Sequence, residues 1–129
     1  MKRQIFILTF LLSINFCIGQ TEYVGRAILD NCVEKFTLVD TISGIKFTLD
    51  STQIYVTAID KSGKQLWRTD PWKDNNLMEY RVKRPIIVKF GFANNQWTDN
   101  KEVIWITYNN TQFGIIDKLT GKFTWFGQD

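Results

Sequence analysis

The sequence contains no histidine, and only two cysteines, two prolines and two methionines in 129 residues. Without histidine there is no Ser-His-Asp or Cys-His pair, no His-x-Glu deaminase centre and no His-Glu-x-x-His zinc helix, which excludes most familiar hydrolytic chemistry. A pair of carboxylates can still do acid–base work, with Asp99 and Glu102 as candidates. Acidic residues are ordinary loop components of a small β-domain, however, and these two read as solvated loop charges. The chain also lacks a glycine-rich phosphate loop and an Asp-x-Asp-x-Asp calcium pattern. The expectation is therefore a protein that is not an enzyme, with no catalytic residue, no metal site and no cofactor.

One pronounced hydrophobic run is present, and it lies at the start. Lys2 and Arg3 precede an apolar stretch from Ile5 to Leu12 broken only by Thr9, and a short polar segment ends at Gly19-Gln20. This three-part pattern predicts a signal peptide over residues 1–19, cleaved before Gln20, and export to the periplasm or medium. The run falls short of the ~20 residues that cross a bilayer. Cys17 preceded by Phe16 makes a poor acylation site, so a lipoprotein is the lesser alternative. The leader carries two of the 16 basic residues and none of the 13 acidic ones, so the mature chain has a net charge of only +1. Such a chain lacks the positive field that draws proteins to nucleic acid or anionic lipid, and neither is expected as a partner. With Cys17 removed, Cys32 has no intramolecular partner. It is expected as a small buried hydrophobe, the other roles open to it being a nucleophile or an intermolecular bridge. Asn109-Asn110-Thr111 matches the N-glycosylation triplet.

The remaining 20–129 segment reads as one all-β domain. Short β-rich runs alternate with Gly, Asn, Asp and Ser clusters. Ile45, Phe47 and Leu49 alternate with Lys46, Thr48 and Asp50, the pattern of a half-buried strand, and Ile86, Val88, Phe90 and Phe92 alternate in a similar way. Residues 54–59 and 103–108 are apolar or β-branched on both faces and predict central strands. In all, ten strands are predicted, at 23–29, 36–40, 45–50, 54–60, 64–69, 79–83, 86–93, 103–108, 112–117 and 122–126. A turn or two of helix fits 27–35. The fold class is an antiparallel meander forming a small sandwich or open barrel.

An internal repeat lies within the meander. Ile59-Asp60-Lys61-Ser62-Gly63-Lys64-Gln65-Leu66-Trp67 is echoed by Ile116-Asp117-Lys118-Leu119-Thr120-Gly121-Lys122-Phe123-Thr124-Trp125, with Gly and Trp recurring 58 residues apart. Each copy predicts a hairpin: a strand ending in Asp, a tight turn whose Gly takes positive φ, and a returning strand carrying a large aromatic. The pattern resembles the blade hairpin of PQQ-like, quinoprotein-type β-propellers, whose repeats run Ala-Leu-Asp-x-x-Thr-Gly-Lys-x-x-Trp. Asp117, Thr120, Gly121, Lys122 and Trp125 match that spacing, and the first copy is one residue short in its turn. The resemblance spans about 50 residues of the chain. It implies that Gly63 and Gly121 close hairpins and that Trp67 and Trp125 pack between neighbouring blades, and it implies no quinone. Two blades are too few to close a propeller, so an open sandwich with the same hairpin chemistry and a partial propeller both stay open.

Two features suggest binding. Trp72 and Trp97 sit in Asn/Asp-rich loops, flanked by Asn75, Asn76, Asn94 and Asn95, whereas Trp67, Trp105 and Trp125 sit in predicted strands and are expected in the core. An indole beside amides suits a sugar face or a protein surface; the other reading is that each indole folds down to cap the core. With two strands predicted between the loops, parity places Trp72 and Trp97 side by side at one rim. Arg81, Lys83, Arg84 and Lys89 form an acid-free stretch that reads as an anion-binding strand face or as lysines and arginines guarding a sheet edge beside Pro85. The candidate binding residues are thus Trp72, Trp97, Asn75, Asn94, Arg81 and Arg84. The function expected is a non-catalytic binding module for a glycan or a protein. The alternative is a structural component of an envelope assembly or a homo-oligomer of blade-like sheets.

Overall fold

The computed structural model describes residues 32–94 and 96–129. The leader, the cleavage before Gln20, Cys17, the strand predicted at 23–29, most of the helical turn at 27–35 and Asn95 lie outside those residues. Eight of the other nine predicted strands form, in two four-stranded antiparallel meanders. Sheet 1 is β1 (Thr37–Val39), β2 (Lys46–Leu49), β3 (Val56–Ile59) and β4 (Gln65–Thr69); sheet 2 is β5 (Ile87–Ala93), β6 (Val103–Tyr108), β7 (Phe113–Ile116) and β8 (Phe123–Gly127). In each sheet the strands neighbour one another in chain order, and the doubly apolar β3 and β6 are interior strands. Among the described residues the domain is all-β, with one four-residue helix, α1 (Pro71–Asp74), and a 3₁₀ turn at Gln96–Thr98.

The segment 79–83 is not a strand. Tyr80 and Val82 form only an isolated bridge around Arg81 at φ 59°, closed by the Val82 N–H donating to the Tyr80 carbonyl at 2.6 Å. An extended segment holds its shape only against a partner strand, and here the chain turns back on itself instead. The alternation predicted for 86–93 also breaks. A bulge between Ile87 and Lys89 puts Ile87 at 0% exposure and Val88 at 5%, burying two consecutive residues.

Register partners project to the same side of a sheet, so the pairings define the faces. Leu38, Phe47, Ala58 and Trp67 form one cross-strand row of sheet 1. Phe92, Ile104, Ile116 and Phe123 form a row of sheet 2. These rows meet in the core: Phe47 contacts Phe92 edge-to-face at 5.9 Å, and both rows belong to one apolar cluster with Leu49, Val56, Ile87, Ile106 and Tyr108. The remaining joins between the sheets are polar. The Gln53 side chain donates to the Ile87 carbonyl at 2.7 Å, and Lys118 reaches across to Asp40 at 2.7 Å while pairing with Glu102 at 2.6 Å.

Both repeat copies are hairpins, β3–β4 and β7–β8. Asp60 accepts from the Ser62 and Lys64 backbone N–H groups at 2.9 and 3.0 Å, and Asp117 accepts from those of Leu119 and Thr120 at 2.8 and 3.0 Å. The closing glycines, Gly63 and Gly121, take φ of 86° and 73°, where a side chain is strained. A carboxylate that accepts several N–H bonds is favoured in its charged form. Burial raises the Asp117 carboxyl, but bonds from Lys101, Thr120 and Leu119 outweigh it and hold it at about 2. Asp40 is lowered chiefly by Lys118, and Asp60 by the Ser62 hydroxyl. Such groups contribute stability that is complete above the unfolded carboxylate range and is lost as pH falls through the folded values. Lys118, pushed down by burial but raised overall by Asp40 and Glu102, contributes in full below the ordinary lysine range and loses that contribution as pH rises above it. The urea midpoint should therefore fall steadily between about pH 4.5 and about pH 2; equal midpoints at neutral pH and at about pH 2.5 would refute this account of the turns.

Candidate functional site

The rim expected from strand parity does not form. With 79–83 lost as a strand, only β5 separates the two tryptophan loops, and a single strand carries the chain from one end of a sheet to the other. Trp72 lies near the Ile87–Tyr108 end of the β5–β6 pair, and Trp97 follows the Ala93–Val103 end. They cannot form one surface.

The reason Trp72 turns inward is local. Asp70 is the N-cap of α1, accepting from the Lys73 N–H at 3.1 Å; Pro71 occupies the first helical position, and Asp74 reaches back to the Asp70 N–H at 2.9 Å. This reciprocal cap turns the chain so that Trp72 packs, half-buried, against the apolar cluster. Arg84 lies over its ring at 4.9 Å and forms an ion pair with the buried Asp70. Asn75 is exposed but committed to the helix end, its side chain donating to the Pro71 carbonyl at 2.7 Å. Arg81 is exposed with its guanidinium 4.7 Å from the Tyr80 ring centroid. Of the candidates, Trp72, Arg84 and Asn75 thus form a structural knot beneath which burial pushes the Tyr108 phenol up. Arg81 and Arg84 do not lie on a strand, so the basic stretch is not a strand face.

At the opposite end, Trp97 is 74% exposed on its 3₁₀ turn, and Asn94 is exposed in the same loop. Trp97 is not isolated. Together with Trp105, Phe113, Trp125 and Phe126 it lines a depression of about 430 Å³ on the outer side of sheet 2. Trp105 stacks on Phe113 with centroids 5.5 Å apart and meets the Phe126 edge at 5.9 Å. Trp125, expected in the core, is instead 47% exposed, and Trp105 is only half-buried. For Trp105 the physical reason is register, since it pairs with Ile115 on the side of sheet 2 away from Phe92, Ile104 and Ile116; Trp125 pairs with Gly114, in the row of Ile106, and is exposed because β8 is an edge strand. Trp67 by contrast lies against the core, 5.8 Å from Phe47, with its Nε1–H donating to the Lys118 carbonyl at 3.0 Å.

Sequence reasoning therefore found Trp97 and Asn94 but missed Trp105, Phe113, Trp125 and Phe126 as surface groups. A usable signal was present. Trp105 and Phe113 alternate out of phase with Ile104, Ile106 and Ile116, which marks a second apolar face. Cys32, expected as a buried hydrophobe, is exposed. Glu102 is tied to Lys118, and Asp99 is exposed at φ 52°. Asn109 of the glycosylation triplet is 7% exposed, its side chain accepting from the Ile86 N–H at 3.2 Å, so the folded chain does not present it for modification. Among the described residues no helix is long and apolar enough to cross a membrane. No protein-family model, curated protein or solved structure matches the chain.

Proposed function

We propose that the protein is an exported, non-catalytic interaction module that binds a protein surface through the outer aromatic face of sheet 2. The observation that carries this reading is five aromatic side chains, Trp97, Trp105, Phe113, Trp125 and Phe126, lining one depression on the outside of an otherwise ordered sheet. Contiguous exposed apolar patches on small domains mark interaction sites, and tryptophan is the residue most enriched where binding energy concentrates. The depression itself is lined by aromatic side chains, the polar groups Thr98, Asp99, Lys101, Asp117 and Lys122 lining a separate one. A sugar needs several directed hydrogen bonds besides a stacking ring, which favours a protein over a glycan as the partner.

The test is capture from the exported fraction by the parent and by the Trp97→Ala, Trp125→Ala double variant. The parent should retain a protein, another copy of itself included. The double variant should retain its urea midpoint and lose the partner. Undiminished capture by the folded double variant, or binding of a glycan that displaces the protein, would overturn the proposal.

A further inference from the structure

The chain has two prolines, Pro71 and Pro85, and both are fully buried. Between them, residues 72–84 connect sheet 1 to sheet 2 without joining either. Among the described residues the segment makes no strand pairing beyond the Tyr80–Val82 bridge, and residues 73–76, 78, 79, 81 and 83 are exposed. Its apolar hold on the core is the half-buried pair Trp72 and Leu77. Beyond the cap at Asp70, Gln112 donates to the Met78 carbonyl at 3.2 Å, the Tyr80 hydroxyl donates to the Asp129 carbonyl at 2.8 Å, and Arg84 pairs with Asp70.

The closed arrangement is costly in this one place. Trp72 Nε1, Arg84 Nη1 and the Tyr108 hydroxyl are buried without a hydrogen-bond partner, and no other buried side-chain nitrogen or oxygen among the described residues is left so. The three belong together. The Arg84 guanidinium lies 4.9 Å from the centre of the Trp72 ring, and the groups that act on the phenol are Asp70, Arg84, Asp74 and the Trp72 backbone N–H, which makes no hydrogen bond to it. A buried polar group without a partner has given up its bond to water and gained none in exchange. Backbone strain adds to this: Asn76 at φ 51° and Arg81 at φ 59° hold left-handed conformations, which an asparagine tolerates and an arginine does not.

We infer that residues 72–84 form a strap that opens as one unit between the two proline posts while both sheets stay folded, releasing the three unpaired groups to water and uncovering the Tyr108 end of the core. Opening solvates all three groups at once and frees Arg81 from its strained φ. Against it stand two half-buried side chains and a few polar ties. Segments with few buried apolar contacts and exposed backbone are the ones that open below the free energy of global unfolding. The strap is thus a gate at the end of the sandwich opposite Trp97, hiding the phenol and the inner sides of Trp72 and Leu77 when closed and presenting them when open. It does not depend on the aromatic face of sheet 2 being an interaction surface.

Hydrogen exchange of the intact protein in low urea tests the gate. The Asp74 and Leu77 amides, which donate to the Asp70 and Trp72 carbonyls, and the Val82 amide, which donates to the Tyr80 carbonyl, should exchange as one group. That group should exchange at least about a hundredfold faster than the amides of the interior strand β6, with a shallow urea dependence because little surface is exposed on opening. Ile104→Val, at a fully buried position of β6, should speed exchange in β6 and leave the strap unchanged, since the open and closed forms share that core. Tyr108→Phe removes one unpaired group from the closed form and should slow the strap by about tenfold. Strap and β6 amides that exchange together with one urea slope overturn the inference. So do strap amides that open independently of one another, and a strap that Tyr108→Phe leaves unchanged or speeds. The urea slopes are read in the parent, so the inference stays testable should Tyr108→Phe fail to fold.

Discussion

Trp67→Ala is expected to lower the unfolding free energy by about 3 kcal/mol, the lower end of the range for a large buried aromatic because the indole is only partly enclosed. The truncation removes the ring between Phe47 and Gly121 and orphans the Lys118 carbonyl, which accepts the indole N–H at 3.0 Å. The same change at Trp125 should cost under about 1 kcal/mol in the monomer, since it deletes a half-exposed ring with no ring partner. Gly121→Ala approaches the same contact from the other side. The new Cβ would lie 2.6 Å from the Trp67 ring at a backbone φ of 73°, so a loss of about 2 kcal/mol is expected from crowding and strain together. Urea melts of the three variants check the ranking, and equal losses at Trp67 and Trp125 would mean that the sheets do not stack as described.

Gly114→Ala should be about as damaging, by about 2–3 kcal/mol or more, although the substitution is only one methyl group. A Cβ there would lie 2.2 Å from the Thr124 carbonyl oxygen and 2.7 Å from the Phe123 ring. The carbonyl belongs to the backbone of β8, so relief requires β8 to move, and with it the Phe123 side chain that is 4% exposed in the core. Gly91→Ala is the control, because a Cβ at that position of β5, the opposite edge strand of the sheet, meets nothing within 4 Å. It should be neutral or slightly stabilising, as alanine loses less chain entropy than glycine. If Gly114→Ala melts like Gly91→Ala, the β7–β8 register is wrong.

Much of the architecture follows from local patterns. The hairpins at Asp60–Gly63 and Asp117–Gly121 are written into a carboxylate that bonds its own turn and a glycine that takes positive φ. The alternation of Phe47 and Leu49 with Lys46 and Thr48 sets the buried face of β2. The inward turn of Trp72 was also legible, in Asp70-Pro71 followed by Asp74, a helix-start signal that outweighs the polar setting of the loop.

Other features depended on partners that no local pattern names. Residues 79–83 have strand-like composition, but a strand exists only where another edge is free to pair, and none among the described residues meets them. Losing that one strand reversed the parity between the loops and separated Trp72 from Trp97. Nor does an apolar row state which side of its sheet will be covered. Phe47 and Trp105 occupy equivalent rows of the repeat, yet one is at 0% exposure and the other is half-buried on an open face. Sequence by itself determined an antiparallel meander, its hairpin turns and an aromatic surplus; its division into two sheets came from the tertiary structure. The stacking of one sheet on the other, a long-range choice made by how the whole faces fit, decided which aromatics became core and which became surface.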